Sequence, residues 1–145
     1  MAQVEVKVAR DIAAPPQRVF ELLADYAETR PQLLPDAYSN YRVVTGGTGE
    51  GTEYEVHLTA GRRERDLAMS VSEPGPLRLE ERDGNSSLRT TWTVHEAGEG
   101  SAVNVHTSWT GAGGFPGLME RTFAPLGLRK LYGEMLQRLD AKATA

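Results

Sequence analysis

Three histidines, twenty acidic residues and no cysteine bound the chemistry open to this chain of 145 residues. Without a thiol it can carry no disulfide, thiolate metal site or cysteine nucleophile. In strand alternation His57 shares a face with Glu53 and Glu55, opposite Tyr54 and Val56. His106 falls with Asn104 and Ser108, opposite Val105 and Trp109, and His95 ends a strand beside a turn. All three are expected to point outward. A zinc site needs converging ligands and an activated nucleophile needs an adjacent base, so neither metal nor cofactor is expected.

Polar groups of another kind fall on the apolar faces. Tyr54 accompanies Val56 and Leu58, and Arg65 sits one step before Leu67, Met69 and Val71. Thr90 lies with Leu88, Trp92 and Val94, and Thr107 with Val103, Val105 and Trp109. If those faces border a cavity, these residues are its orienting groups; otherwise they sit at the sheet's rim or bond one another. Arg65 needs a partner to be buried. For proton handling the candidates are Tyr54, Arg65 and Thr90, and no residue is assigned as catalytic outright. The acids Glu64, Asp66, Glu80 and Glu81 read as solvated strand residues, and Glu120 could meet Arg30 in an ion pair.

The elements that would position these groups follow from periodicity. Apolar residues recur every three or four positions from Phe115 to Lys142, which predicts a C-terminal helical segment. At about 1.5 Å per residue it reaches roughly 42 Å, against about 29 Å across seven strands. Its two apolar arcs are displaced by roughly 140° at Pro125 and Gly127, which predicts a short first helix, a kink or break, and a longer second helix. Upstream, Val4, Val6 and Val8 alternate in a first strand ending near Ile12, Pro15-Pro16 opens a helix, and a second short turn runs from Arg30-Pro31 to Leu34. Strands follow at Tyr41–Thr45, Thr52–Thr59, Arg63–Glu73, Leu77–Asp83, Ser87–His95 and Ala102–Thr110, separated by short glycine-rich turns. The expected fold is therefore α+β, a seven-stranded antiparallel sheet with two short helices between strands 1 and 2 and a long C-terminal helix across one face, in a single domain over 1–145.

Charge narrows the partners. A formal charge of −4 and a pI near 5.4 argue against nucleic acid, and Arg62–Asp66 is a basic cluster diluted by acids. The glycines at 47, 49 and 51 join two strands, whereas a dinucleotide loop leads from strand to helix. Gly111–Gly114 precedes a helix whose first amides could hold an anion; it reads more simply as a flexible entry. There is no signal-peptide core and no apolar run near 20 residues, so a cytoplasmic protein without membrane insertion is expected.

That element order, the turn Gly47-Thr48-Gly49-Glu50-Gly51-Thr52 and the proline-containing final helix resemble the START-like, or SRPBCC, superfamily with its Bet v 1-like helix-grip fold. The resemblance is to its polyketide cyclase/dehydrase-type branch. Residues 26–34 (YAETRPQLL), 85–94 (NSSLRTTWTV) and 109–128 (WTGAGGFPGLMERTFAPLGL) look like small actinobacterial members. The resemblance implies a deep, largely apolar cavity gripped between helix and sheet. It would be lined by Tyr26, Tyr54, Val56, Met69, Thr90, Trp92, Thr107, Trp109, Met119 and Phe123. Gly111–Gly114, Pro125–Gly127 and the loop from Pro35 to Tyr41 would gate it, with Tyr26, Tyr38 and Met119 beside the gate. The implied function is binding of a hydrophobic small molecule: a lipid, a polyketide or an aromatic metabolite. The alternatives are a polyketide cyclase/dehydratase and a non-catalytic regulator that binds a protein through the outer sheet face. Oligomeric state is not legible.

Overall fold

A computed structural model describes residues 3–60, 63–110 and 125–145. Strand β1 (Gln3–Ile12) leads through helices α1 (Pro16–Leu23) and α2 (Thr29–Leu33) into a meander of six strands. These are β2 (Tyr38–Thr45), β3 (Glu53–Ala60), β4 (Arg63–Gly75), β5 (Arg78–Asp83), β6 (Arg89–Ala97) and β7 (Gly100–Thr110). Helix α3 (Pro125–Ala143) follows. The sheet order is β1-β7-β6-β5-β4-β3-β2, and every pairing is antiparallel. This is the helix-grip fold. The first half of the expected C-terminal segment, from Phe115 to Ala124, lies outside the described residues, as do Met119, Phe123 and the Gly111–Gly114 stretch.

Helix α3 packs on β1, α1 and α2. Leu128, Tyr132, Met135, Leu136, Leu139 and Ala143 are buried along it, at the spacing of one helical stripe. Its last carbonyls, which no residue of the helix can satisfy, accept hydrogen bonds from Arg18: Nε to Ala143 at 3.0 Å and Nη2 to Lys142 at 3.2 Å. Arg138 binds the Leu34 carbonyl at 2.6 Å, and Arg10 meets Asp140 at 2.8 Å. These four contacts clamp the helix end to β1 and the short helices.

Three local devices shape the region above the sheet. The Asp25 carboxylate caps the start of α2, accepting from the Glu28 and Thr29 amides and the Thr29 hydroxyl. Pro31 falls in that helix's first turn, where its missing amide hydrogen costs nothing. The loop 46–51 then docks on the connection between the two helices. The Gly47 carbonyl accepts from the Tyr26 and Ala27 amides, the Ala24 carbonyl accepts from Gly49, and Thr48 bridges Asp25. Gly49 adopts φ +54°, a left-handed conformation that favours glycine, and a Cβ there would push the Glu73 carboxylate aside. The turn that the sequence offered as a family mark thus fixes Tyr26. Finally, β2 advances three residues from Ser39 to Arg42 while β3 advances two, a β-bulge with Asn40 at φ 55°. The bulge restores parity, so Tyr38 and Tyr41, three apart, both face inward.

One reading of the sequence is overturned. Glu81 is not a solvated strand residue; it is 3% exposed. Along β5, Leu79, Glu81 and Asp83 alternate inward, and only Glu80 and Arg82 of the charged run face out, pairing with each other. Arg30 is likewise buried, between the two short helices and the sheet, at 2% exposure.

Candidate functional site

The inner face of the sheet carries a polar line among apolar rows. Register places Val71, Glu81, Thr90 and Thr107 side by side across β4, β5, β6 and β7, with Tyr54 and Met69 paired one row away. At one end of the line Glu81 accepts three donors. Arg30 Nη1 lies 2.9 Å from Oε2, the Tyr26 hydroxyl donates to Oε2 at 2.5 Å, and the Tyr54 hydroxyl donates to Oε1 at 2.9 Å. A buried ion pair is tolerable only with such additional bonds, since desolvation of both charges must be offset.

Arg30 is held from every side. Its Nε donates to the Leu23 carbonyl at 3.0 Å and its Nη2 to the Tyr26 oxygen at 3.3 Å. Its guanidinium lies 4.5 Å from the Tyr26 ring centre and 4.8 Å from that of Trp92, two cation–π contacts. Tyr26 stacks on Tyr54 at 5.4 Å, Tyr41 tilts on Tyr54 at 5.2 Å, and the Tyr41 hydroxyl binds the Tyr26 carbonyl at 2.6 Å. At the other end, Thr107 donates to the Tyr132 hydroxyl at 2.6 Å and shares a bond of 2.8 Å with Thr90. Tyr132 meets Trp92 edge-on at 6.0 Å.

Protonation follows from these surroundings. Burial, reinforced by the Glu81 charge, pushes Tyr54 well above the usual phenol range. Burial raises Tyr26 too, against the opposing charge of Arg30, and it raises Tyr38 and Tyr41. Tyr132 is raised by burial although its threonine bonds pull the other way. Burial alone would lower the Arg30 guanidinium, but Glu81 and the phenols around it leave it raised. The wall is therefore a set of neutral hydroxyl donors around one neutralised cation.

A cavity opens over this line. It holds about 60 Å³ of space open to water centres, room for a few waters at about 10–15 Å³ each. Its lining includes Arg30, Tyr38, Tyr41, Tyr54, Arg65, Glu81, Thr90, Trp92, Trp109 and Tyr132, with Val56, Leu67, Met69, Leu88, Leu128 and Met135 as apolar wall. Of the residues expected to line it, Tyr54, Val56, Met69, Thr90, Trp92 and Trp109 do so. Tyr26 and Thr107 sit one layer behind, buried and bonded to lining groups. Arg65 is half-buried on the wall. Sequence reasoning missed Arg30, Glu81 and Tyr132. Alternation from Leu79 would have turned Glu81 inward, while Arg30 carries no local signal because its partner is 51 residues away in sequence. The outer histidines stand apart from the site: His57 bonds Asp66 at 2.7 Å and Glu64 at 3.0 Å, which raises its pKa, and His106 lies 3.3 Å from Glu5. No group of three or more histidine or acidic side chains suited to a metal ion occurs among the described residues.

Residues 3–144 match the family described as polyketide cyclase / dehydrase and lipid transport. The chain belongs to that family. Among solved structures, the KanY protein determined by NMR is 42% identical over 100% of both chains, with a TM-score of 0.90. TTHA0849 from Thermus thermophilus is 21% identical over 97% of each chain, TM-score 0.79. The ZhuI aromatase/cyclase from Streptomyces sp. R1128 is 14% identical, covering 99% of this chain and 94% of that one, TM-score 0.79. The last two likenesses show the shared fold of this family member. No curated protein matches its sequence. No helix among the described residues is long and apolar enough to cross a membrane.

Proposed function

We propose that this family member acts as a single domain that binds a hydrophobic small molecule, a lipid, polyketide or other aromatic metabolite, between the sheet and α3. The observation that carries this reading is the cavity's wall: aliphatic and aromatic over most of its surface, with its charges in the Glu81–Arg30 pair and Arg65 and its other polar groups the tyrosine hydroxyls, Thr90 and two indoles. Apolar burial supplies affinity at about 25 cal/mol per Å² before the costs of association, and the fixed hydroxyls set orientation. With room for only a few waters, a ligand enters by displacing side chains. Met69 and Met135, unbranched and adaptable, are the wall residues suited to yield. The test is native mass spectrometry of the purified protein, followed by titration with aromatic and acyl probes. Co-purifying ligand or saturable probe binding supports the reading. A protein that carries nothing and binds no probe refutes it.

A second reading is turnover of the cyclase/dehydratase type, favoured by the Tyr54 hydroxyl held on Glu81 beside the cavity. A phenol held neutral at the wall can turn its hydroxyl to hydrogen-bond the oxygen of a substrate enolate without giving up its proton, while Arg65 on the same wall offsets the developing charge. Folding the substrate against the aromatic wall would supply proximity. Under this reading Tyr54→Phe and Arg65→Ala abolish product formation from a polyketide-like substrate and leave probe affinity within about threefold, a change below 1 kcal/mol. Loss of binding in parallel with turnover would assign both residues to binding alone.

A further inference from the structure

Two donors in the cavity wall have no partner among the described residues. The indole Nε1 atoms of Trp92 and Trp109 are buried, in residues 2% and 3% exposed, and find no acceptor among the described residues. Buried tryptophan N–H groups ordinarily find one. An unmade bond is costly beside groups that are paired, as Tyr26, Tyr54, Tyr132, Thr90 and Thr107 are. Both indoles line the cavity, so a molecule seated there is the natural source of the missing acceptors.

We infer that Trp92 and Trp109 determine specificity by requiring hydrogen-bond acceptors at two separate places on the occupant. The inference rests on the ligand-binding reading above and adds the polarity of the ligand to it. The two tryptophans stand on separate rows of the sheet. Trp92 pairs with Val105, four residues before Trp109 on β7, so strand geometry sets the two Cα atoms about 14 Å apart. The Thr90–Thr107–Tyr132 cluster lies between them. The groups near Trp92 are Arg30 and Glu81, which pair with each other, and Tyr132, whose hydroxyl bonds Thr107, which leaves the indole as the neutral donor in need. A flat, oxygenated ring system meets both requirements, since aromatic walls accept its faces and its carbonyl or ether oxygens accept from the indoles. A saturated acyl chain, with acceptors at one end only, meets one at most.

The experiment uses the intact protein and three probes. Flavone carries a carbonyl and an ether oxygen and no hydroxyl; 2-phenylnaphthalene has its outline without the oxygens; lauric acid has acceptors at one end. The chain has two tryptophans, so a nitrogen–proton correlation spectrum holds two indole resonances, assigned with Trp92→Phe and Trp109→Phe. Flavone is expected to bind and to move both indole protons downfield. The hydrocarbon is expected to bind about tenfold or more weakly, the worth of two neutral hydrogen bonds, and to move neither downfield. Trp109→Phe, which keeps a ring in place, should erase part of flavone's advantage over the hydrocarbon. Equal affinity for flavone and 2-phenylnaphthalene, or tighter binding of lauric acid with unmoved indole resonances, overturns the inference and leaves the binding reading standing. Failure of all three probes overturns both.

Discussion

Replacing Glu81 with glutamine changes one atom and one charge at the centre of the polar line. Glu81 and Arg30 are 3% and 2% exposed, so little solvent screening softens the loss. The carboxylate accepts Arg30 and Tyr26 on one oxygen and Tyr54 on the other. A glutamine amide keeps its oxygen for Arg30 and Tyr26 only by turning its NH₂ to Tyr54, whose hydroxyl must then accept instead of donate. The guanidinium keeps its charge, because arginine is not deprotonated in a protein interior, and it loses its counter-charge. Breaking a buried pair by removing one partner costs about 3–5 kcal/mol. Against a total of about 5–15 kcal/mol for a domain, that is a large share. At about 2–4 °C per kcal/mol it lowers the melting temperature by roughly 6–20 °C. Urea titration followed by circular dichroism reads the change as a shifted midpoint at constant slope. The double variant Glu81→Gln/Arg30→Met should lie closer to the parent than Glu81→Gln alone, since it removes the stranded cation and leaves the amide oxygen for a tyrosine. A cost below about 1 kcal/mol for Glu81→Gln, or simple additivity in the double variant, would refute the account of a buried, charge-balanced centre.

Other outcomes follow from the same contacts. Tyr26, Tyr54 and Tyr132 are buried with pKa values above the ordinary 10.0. The folded state therefore holds protons that the unfolded chain releases, so stability is complete below about pH 10 and falls as pH rises beyond it, by about 1.4 kcal/mol per unit for each, about 4 together. Phenolate absorbance should appear in step with loss of circular dichroism; a gradual rise near pH 10 in folded protein would contradict the burial. Trp92→Ala should cost about 3–5 kcal/mol in chemical denaturation, because it removes a core side chain and one face of the Arg30 sandwich. A cost below about 1 kcal/mol would place the indole at the surface.

Much of this architecture is legible in the residues themselves. Period-two apolar runs and the turns at Pro74-Gly75-Pro76 and Asp83-Gly84-Asn85 mark the meander, and alternation assigns Val56, Met69, Trp92 and Val105 to the inner face, where all are buried. The strand limits slip by two or three residues, as at β2, where the bulge at Asn40 extends pairing back to Tyr38. The site is less legible. Glu81 was hidden by its neighbour Glu80, since two adjacent acids look solvated unless the alternation is carried through them. Arg30 and Tyr132 become functional candidates only through contacts with distant strands, to Glu81 and Thr107. Local periodicity reports which way a side chain faces; it does not report what stands across the core from it.

The most direct measurement is intermolecular nuclear Overhauser contact between bound flavone and the protein's methyl groups. Binding between sheet and helix predicts cross-peaks to Val56, Leu67, Met69 and Leu88 on the sheet side together with Leu128 and Met135 on α3, all on the cavity wall. Cross-peaks confined to the outer surface, such as to the exposed Val44, would contradict it.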